Sequence, residues 1–223
     1  KDKGVDAKFI GHPLADEIKI DLSDSVSTEN QDLNIALLPG SRRREIDYHL
    51  EVMLDTALMI HDELSSSKKE VIFSIPTRFE EMEQWINSYA KYENLNIKIY
   101  KETSQCLLGS DLVITKSGTS TLESALYKKM TIVVYRMSSF SFFLLTKLNL
   151  INVSYASLPN ILLGYEFFKE FIQEDFKAED ISKEAIKLLK IDPNTYLEPL
   201  MKLHENLRSN KENTAAAHIT RFL

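Results

Sequence analysis

Short apolar runs alternate along the chain with longer stretches in which apolar residues recur at helical spacing. The short runs predict β-strands and the longer stretches predict amphipathic helices. The predicted strands are 34–38, 71–75, 95–100, 111–115 and 131–135. The predicted helices among them are 45–64, 79–92, 104–108 and 119–128. Because the strands are mostly apolar and alternate with helices, the pattern predicts an α/β fold, a doubly wound parallel sheet of Rossmann-like type.

The remaining segments suggest how the chain is divided. Residues 1–33 read as an N-terminal segment and linker, residues 34–192 as the main domain, and residues 193–223 as C-terminal helices. Three helices are predicted in the last part of the chain, over 177–189, 195–207 and 211–223. The apolar stretch 140–151 is too short and too interrupted to span a bilayer, and it predicts a buried helix or a lipid contact.

Composition narrows the function classes. The 223 residues are 43% hydrophobic, enough for one sizeable core or two small ones, and the net charge of −6 gives no basic field for nucleic acid. The single cysteine, Cys106, excludes an internal disulfide and a cysteine-rich zinc site, and it is expected to be a buried apolar residue. The five histidines lack metal-ligand spacing, so no metal site is expected. The start at Lys1, without a signal-peptide pattern, is expected of a piece of a longer protein.

The segment from Pro39 to Glu45 follows the first predicted strand and is a candidate anion site. Gly40 permits a tight turn and a close approach of a ligand to the backbone. Three arginines, beginning with Arg42, lie where the next helix exposes free N–H groups, which favour an anion. The alternative is a Pro-Gly turn before a solvated basic helix start. Cations at a helix N-terminus are unfavourable unless an anion is bound, which favours phosphate binding.

A second candidate runs from Lys116 to Glu123, after the fourth predicted strand. Its serine, glycine and threonine residues would expose the N–H and hydroxyl groups that hold a diphosphate, and Glu123 could reach a pair of sugar hydroxyls. The alternative is a capping box, in which Ser120 and Glu123 merely begin a helix. Both segments would open on the same crevice of a doubly wound sheet, which favours the functional interpretation.

Other catalytic patterns are absent from the sequence. Neither candidate segment has the spacing of a P-loop or of G-x-G-x-x-G, and no G-x-S-x-G elbow supports a serine nucleophile. The acidic run 173–175 is expected to be a solvated loop.

Six separated motifs, in this order, resemble the lipid-A-disaccharide synthase family of GT-B glycosyltransferases. They are GHPLAD at 11–16, LLPGSRR at 37–43, SGTSTLE at 117–123, VYRM at 134–137, SLPNIL at 157–162 and QED at 173–175. Each motif alone would be weak, but together they cover the chain from about Gly4 to its end.

The resemblance implies transfer of 2,3-diacylglucosamine from UDP to 2,3-diacylglucosamine 1-phosphate (lipid X), forming the β-1,6-linked lipid A disaccharide. In this family an N-terminal domain binds the acceptor, and a C-terminal Rossmann-like domain, here 34–192, binds the UDP-sugar without metal or cofactor. The lipid substrates imply a cytoplasmic protein peripheral to the inner membrane. The family's C-terminal helices contribute to dimerisation, which implies a homodimer.

The resemblance also implies site residues. Ser41 and Arg42 would contact the diphosphate, with Arg42 as the catalytic residue that stabilises charge on the leaving UDP. Glu123 would bind the ribose, and Asn160 would lie at the active-site cleft. The residues implied to frame the nucleotide phosphates are Ser117, Gly118, Thr119 and Thr121. Those implied to make nucleotide or sugar contacts are Tyr135, Arg136 and Met137.

The family's proteins are longer than this chain. The acceptor half, which should carry an acidic general base, is not in this sequence, so we expect the donor-binding part of such an enzyme. One alternative is another UDP-sugar enzyme of the same architecture, either an epimerase or the peptidoglycan glucosaminyltransferase. Another is a non-catalytic UDP-binding module.

Overall fold

The core of the molecule is a parallel β-sheet. The computed structural model describes residues 9–19, 32–65, 69–79, 81–138 and 154–208, and within these ranges six strands form one sheet. The strands are β1 Leu33–Leu38, β2 Val71–Pro76, β3 Asn96–Tyr100, β4 Leu112–Lys116, β5 Thr131–Tyr135 and β6 Lys169–Ile172. Their order is β3-β2-β1-β4-β5-β6, and every neighbouring pair is parallel. The doubly wound α/β fold is confirmed.

The order of the strands creates a crevice between β1 and β4. The chain builds the sheet outward from β1 to β3 and then crosses back to place β4 on the other side of β1. Ile35 pairs with Leu112, and Leu38 pairs with Thr115. In doubly wound sheets ligands bind where the strand order reverses, outside the carboxyl ends of the strands. The loops that follow β1 and β4 therefore flank the expected ligand position.

Helices cover both faces of the sheet. The α-helices of the described residues are α1 Pro13–Glu17, α2 Arg43–Leu64, α3 Glu81–Asn87, α4 Thr103–Gly109, α5 Thr119–Leu126, α6 Leu158–Leu163, α7 Ala178–Leu188 and α8 Asn194–Leu207. Ile35 and Leu37 of β1 pack in the cluster that includes α2 and α7. Leu38 packs on the other face with Cys106 and Leu107 of α4. Burial on both faces explains why the strands are almost continuously apolar.

The single cysteine lies inside this core. Cys106 is fully buried, and burial raises the pKa of its thiol to about 12. A thiol that stays protonated is a poor nucleophile, so Cys106 behaves as a small apolar residue. Its predicted role as a buried residue is confirmed.

The predicted helix over 79–92 is wrong as one continuous element. Helix α3 ends at Asn87, and a separate 3₁₀ turn follows at Ala90–Tyr92. The Ser88 hydroxyl donates to the carbonyl of Trp85, a local bond that competes with helix continuation. The buried Tyr92 ring is fixed on α2, where its hydroxyl donates to Asp55 at 2.8 Å. Packing of the aromatic ring therefore overrides the helical periodicity.

The region after β5 contains elements that the sequence pattern did not predict. Helix α6 and strand β6 extend the fold, and a 3₁₀ turn at Gln173–Asp175 follows β6. The expectation of a solvated loop is wrong for Gln173, which is buried and has a positive φ of 53°. The predicted helices over 140–151 and 211–223 lie outside the described residues.

A buried polar chain joins the two ends of the described chain. The Lys128 ammonium, just after α5, donates to Nδ1 of His204 at 2.6 Å, and Nε2 of His204 donates to the carbonyl of Ala15 at 2.8 Å. The main-chain N–H of His12 also donates to Leu207 at 2.8 Å. Helices α1 and α8 are thus tied to α5 by hydrogen bonds as well as by apolar packing.

Candidate functional site

A cleft of about 530 Å³ lies at the carboxyl ends of the four strands β1 to β4. Its lining residues are Leu38, Gly40, Ser41, Arg42 and Glu45 from β1 and the start of α2, Pro76, Thr77, Arg78 and Phe79 after β2, Lys101, Glu102 and Thr103 after β3, and Lys116, Gly118, Thr119, Ser120 and Glu123 from the end of β4 and α5. The cleft therefore occupies the switch point that the strand order creates.

The β1 loop, residues 39–42, bends sharply over the first turn of α2. Gly40 has a φ of +117°, and a Cβ there would lie 2.5 Å from Oε2 of Glu45, so only glycine fits without displacing that carboxylate. The carboxylate accepts the main-chain N–H groups of Ser41 at 3.1 Å and Arg42 at 3.4 Å. Glu45 thereby satisfies N–H groups that the start of α2 leaves free.

One carboxylate also gathers two cations at the cleft. Oε1 of Glu45 lies 3.1 Å from the Lys116 ammonium and 3.3 Å from the Arg42 guanidinium. Burial acts to raise the pKa of Glu45, but Lys116 and the main-chain donors of Ser41 and Arg42 outweigh it and hold the pKa below its usual value. Glu45 is therefore ionised at neutral pH, and the Arg42 side chain remains 83% exposed at the cleft.

The β4 loop, residues 117 and 118, leads into α5. Gly118 is the N-cap of α5, without a side-chain capping bond, so Ser120 and Glu123 do not form the capping box considered above. The Ser120 hydroxyl instead lies 2.8 Å from that of Thr115. Thr121 is buried and donates to the carbonyl of Gly118 at 2.7 Å. The start of α5 therefore presents Gly118 and Thr119 to the cleft, with Thr121 behind them.

Glu123 is the carboxylate of this loop region that is left available to a ligand. It lines the cleft and is partly buried, and among the described residues no hydrogen bond or ion pair to its carboxylate is found. Burial raises the pKa of Glu123 above the usual value. A partly desolvated carboxylate without a protein donor is suited to accept hydrogen bonds from a bound hydroxyl pair.

The end of β5 lies behind the cleft rather than on its surface. The Arg136 guanidinium donates to the carbonyl of Phe176 at 2.6 Å, and the main-chain N–H of Met137 donates to the Gln173 side chain at 2.8 Å. The Tyr135 ring lies against His49 and under the Lys116 ammonium, 5.7 Å from its ring centre. None of Tyr135, Arg136 and Met137 lines the cleft.

His49 connects α2 to the end of β5. Its Nδ1 lies 2.6 Å from the Glu45 carbonyl, and its Nε2 accepts the main-chain N–H of Arg136 at 3.0 Å. These partners require a neutral ring with the proton on Nδ1. Burial is the main cause that lowers the pKa of His49, with Lys116 and Arg136 acting in the same direction.

Asn160 does not line the cleft. Its side chain is completely buried, where Nδ2 donates to the Phe168 carbonyl and to Glu170, and Oδ1 accepts the main-chain N–H groups of Phe167 and Phe168. Glu170 in turn accepts the hydroxyl and N–H of Ser157. The structure therefore gives Asn160 a supporting position beneath the loop before α6.

That same loop supports the β4 loop. The Ser117 hydroxyl donates to the Ala156 carbonyl at 2.6 Å, and the Ala156 N–H donates to Glu170 at 2.6 Å. Ser117 therefore does not line the cleft. Its hydrogen bond fixes the position of the residues that lead into α5.

Sequence reasoning found part of the lining and missed the rest. The structure brings Ser41, Arg42, Gly118, Thr119 and Glu123 together at one cleft. The contributions after β2 and β3 were missed, although the rule that ligands meet strand ends applies to them equally. Glu45 and Lys116 were within the quoted segments, but no role was predicted for their side chains.

Within the described ranges, no group of three or more His, Cys, Asp or Glu side chains could hold a metal ion. No helix in the same part of the chain has the length and apolarity needed to cross a membrane.

Comparison with solved structures supports the fold. MurG from Acinetobacter baumannii is 13% identical, with a TM-score of 0.57 over 96% of this chain and 56% of that chain. The UDP-GlcNAc 2-epimerase of Methanocaldococcus jannaschii, solved with UDP-GlcNAc and UDP, is 16% identical, with a TM-score of 0.50 over 96% of this chain and 54% of that chain. At these identities the likeness concerns architecture alone.

Comparison of sequences identifies the family. Lipid-A-disaccharide synthase 2 of Legionella pneumophila is 31% identical over 99% of this chain. The match covers 58% of that relative, so the chain spans a little over half the length of the curated protein it matches. The family model described as lipid-A-disaccharide synthetase matches residues 1–220. With the cleft at the β1–β4 switch point and a match over nearly its whole length, the chain belongs to the lipid-A-disaccharide synthetase family.

Proposed function

We propose that this chain is the donor-binding part of a lipid-A-disaccharide synthase and that its cleft binds the UDP of UDP-2,3-diacylglucosamine. The observation that carries the proposal is the convergence of the starts of α2 and α5 on one cleft, together with the exposed Arg42 guanidinium. Helix N-termini and arginine are the groups that proteins use to bind phosphate. Family membership supplies the sugar and the acceptor.

Each part of the nucleotide has a proposed position in the cleft. Ser41 and Arg42 bind the diphosphate from one side, and Gly118 and Thr119 bind it from the other. Glu123 accepts hydrogen bonds from the ribose hydroxyls. Ser117 and Thr121 hold the β4 loop in shape, Asn160 holds the loop before α6, and Tyr135, Arg136 and Met137 support the floor behind Lys116.

The proposed reaction is a displacement at the anomeric carbon of the donor sugar. The acceptor hydroxyl oxygen forms the new bond to that carbon, and the bond to the β-phosphate oxygen breaks with its electron pair leaving on UDP. The Arg42 guanidinium and the helix-end N–H groups stabilise the charge that develops on this phosphate. We assign the binding of the acceptor, lipid X, and the base that takes its proton to the part of the longer relatives that this chain does not match.

The proposal extends to where the protein acts. Both substrates are acylated, so the complete enzyme works as a cytoplasmic protein peripheral to the inner membrane. A homodimer through the C-terminal helices belongs to the same proposal.

Isothermal titration of UDP, UMP and ADP into the chain tests the binding step. UDP is expected to bind more tightly than UMP, because the second phosphate adds contacts to both loops, and more tightly than ADP. Absence of heat with UDP, together with failure of UDP to compete for a fluorescent nucleotide probe, would reject the proposal. The complete protein, assayed with UDP-2,3-diacylglucosamine and lipid X, is expected to form the disaccharide.

The alternatives predict different outcomes in these experiments. An epimerase or the peptidoglycan glucosaminyltransferase should prefer UDP-GlcNAc to UDP-2,3-diacylglucosamine in competition. The similarity to solved structures concerns the fold and does not favour either activity. A non-catalytic UDP-binding module should bind UDP without any transfer, even in the complete protein.

A further inference from the structure

Lys116 lines the cleft but has no part in the proposed reaction. It is the last residue of β4, its side chain is only 17% exposed, and it lines the cleft between the β1 and β4 loops. A lysine buried to this extent loses hydration of its charge, which is unfavourable unless other groups replace the water. The groups around Lys116 must therefore compensate for the lost hydration of its charge.

The ammonium group lies between the two loops. Its Nζ donates to Glu45 at 3.1 Å, and Glu45 is hydrogen-bonded to the β1 loop at Ser41. On the other side, a Cβ built on Gly118 would lie 3.6 Å from Nζ, so the ammonium lies beside the β4 loop. Lys116 thus occupies the point where the two loops approach each other.

The charges around this point do not cancel. Among the described residues, the Glu45 carboxylate is the acceptor that pairs with both Arg42 and Lys116. Two cations share one carboxylate, and the N-terminus of α2 adds partial positive charge. Within the same part of the chain, Nζ of Lys116 donates one hydrogen bond, to Glu45, and an ammonium has three N–H donors. The cluster therefore retains both charge and donors for an anion.

We propose that Lys116 is a phosphate-binding residue that bridges the two loops, and that Glu45 is the positioning residue that holds Lys116 and Arg42 at the cleft. This inference rests on the proposed function, because it assigns Lys116 to the diphosphate of the nucleotide. When the ligand binds, the free N–H donors of Lys116 bind phosphate oxygen while Glu45 keeps the ammonium in place.

The test compares UDP, UMP and uridine binding to the wild-type chain and to Lys116→Met and Lys116→Arg by isothermal titration. Lys116→Met should weaken UDP binding by about tenfold or more, the value of one hydrogen bond between charged groups. Uridine, which has no phosphate, should bind both proteins equally. Lys116→Arg keeps the charge and should recover part of the lost affinity. The dependence of UDP affinity on salt concentration should also weaken in Lys116→Met.

Lys202→Met is the matched control, because it removes the same charge from the exposed surface of α8, where Lys202 pairs with Glu198 at 3.7 Å. It should leave UDP affinity unchanged. If Lys116→Met does not fold, the double variant E45Q/K116M is compared with E45Q alone, which isolates Lys116 without leaving the Glu45 carboxylate charged beside a missing ammonium. A wild-type chain that binds no UDP would overturn the proposed function. A wild-type chain that binds UDP no more tightly than Lys116→Met, or equal losses for UDP and uridine, would overturn the role of Lys116 alone.

Discussion

The Glu45 carboxylate and the Lys116 ammonium lie 3.1 Å apart although 71 positions separate them in the sequence. Their contact crosses the switch point of the sheet and joins the β1 loop to the β4 loop. Both side chains are mostly buried, with 19% and 17% exposure, so solvent screens the pair less than it would at the surface. The shape of the cleft therefore depends on how firmly the β1 loop holds Glu45.

Gly40→Ala should loosen that hold. The new Cβ would collide with Oε2 and Cβ of Glu45 at 2.5 and 2.7 Å, and the φ of +117° adds backbone strain. We expect a loss of about 2–4 kcal/mol in the free energy of unfolding, from strain and from the displaced carboxylate, with weaker UDP binding. Gly164→Ala is the control, since it also has a positive φ but no atom within 4 Å of its Cβ. A urea titration showing equal losses for the two variants would contradict the contact with Glu45.

Arg42→Ala should lower the turnover of the complete enzyme by about 10²- to 10³-fold without affecting its fold. Removing one fixed donor to a developing oxyanion costs about 3–4 kcal/mol of transition-state stabilisation. Arg43→Ala is a close control, because Arg43 is the next residue, carries the same charge and pairs with Asp47 at 3.3 Å instead of lining the cleft. Turnover is measured as disaccharide formed from the two lipid substrates. Near wild-type turnover in Arg42→Ala, or similar losses in both variants, would reject the catalytic role.

Glu123→Gln should weaken UDP binding through the ribose. We expect a loss of about 1.5–3 kcal/mol, because hydrogen bonds to a charged acceptor are replaced by weaker ones to an amide. Against 2′-deoxy-UDP the same substitution should cost less, since one of the two hydroxyl donors is missing. Equal losses for the two nucleotides in calorimetric titrations would place Glu123 away from the ribose.

The pH dependence gives a second measure of Glu123. Burial raises the pKa of this carboxyl, and the ionised form is the better acceptor for two hydroxyls. UDP affinity of the wild type should therefore increase as the pH rises through this raised pKa. Glu123→Gln should lack that increase, while the ionisation of the nucleotide phosphates affects both proteins alike.

Much of the fold could be predicted because parallel strands buried on both faces leave continuous apolar runs in the sequence. β1 and β5 are examples, predicted within one residue of their observed ends. Strand β6 was missed because it is short and carries Lys169 and Glu170, which give it no apolar run. Helix α3 was predicted too long because the spacing of apolar residues does not distinguish a continuing α-helix from the separate 3₁₀ turn that Tyr92 stabilises.

The lining of the cleft could be predicted where residue types themselves suggest a chemistry, as at Arg42 and Glu123. The pairing of Glu45 with Lys116 was not, because it depends on the register that sets β1 beside β4. Asn160 illustrates the opposite case. A polar residue in a family motif suggests ligand contact, but its neighbours in space are main-chain groups that it hydrogen-bonds.

Asn160→Ala should therefore reduce stability more than binding. The buried amide makes two donor and two acceptor contacts, and their loss leaves main-chain groups of Phe167 and Phe168 without this partner and removes one of the donors to Glu170. We expect a loss of about 2–4 kcal/mol in the free energy of unfolding by urea titration. At a temperature where the variant remains folded, its UDP affinity should stay within about twofold of the wild-type affinity. A tenfold loss in affinity with unchanged stability would instead indicate direct contact with the ligand.

The stability of the chain should fall as the pH drops below about 6.5, the pKa of an unfolded histidine. In the folded state burial lowers the pKa of both His49 and His204. Nearby cations lower it further. They are Lys116 and Arg136 for His49, and Lys128 and Arg208 for His204. The unfolded chain then binds more protons than the folded chain as the pH falls from about 6.5 toward the lowered values. The stabilisation is complete above that range and decreases within it, by at most about 1.4 kcal/mol per pH unit for each histidine.

His49→Gln isolates one of the two contributions. Protonation of His49 would place a second N–H on Nε2, against the N–H of Arg136 that this atom now accepts at 3.0 Å. The variant should be less stable than wild type at pH 7.5, because it loses that geometry, yet its melting temperature should fall less between pH 7.5 and pH 5.5. The wild-type chain over the same pH interval provides the reference slope. If His49→Gln also keeps that slope, the ring between α2 and β5 is not held neutral by its two main-chain partners.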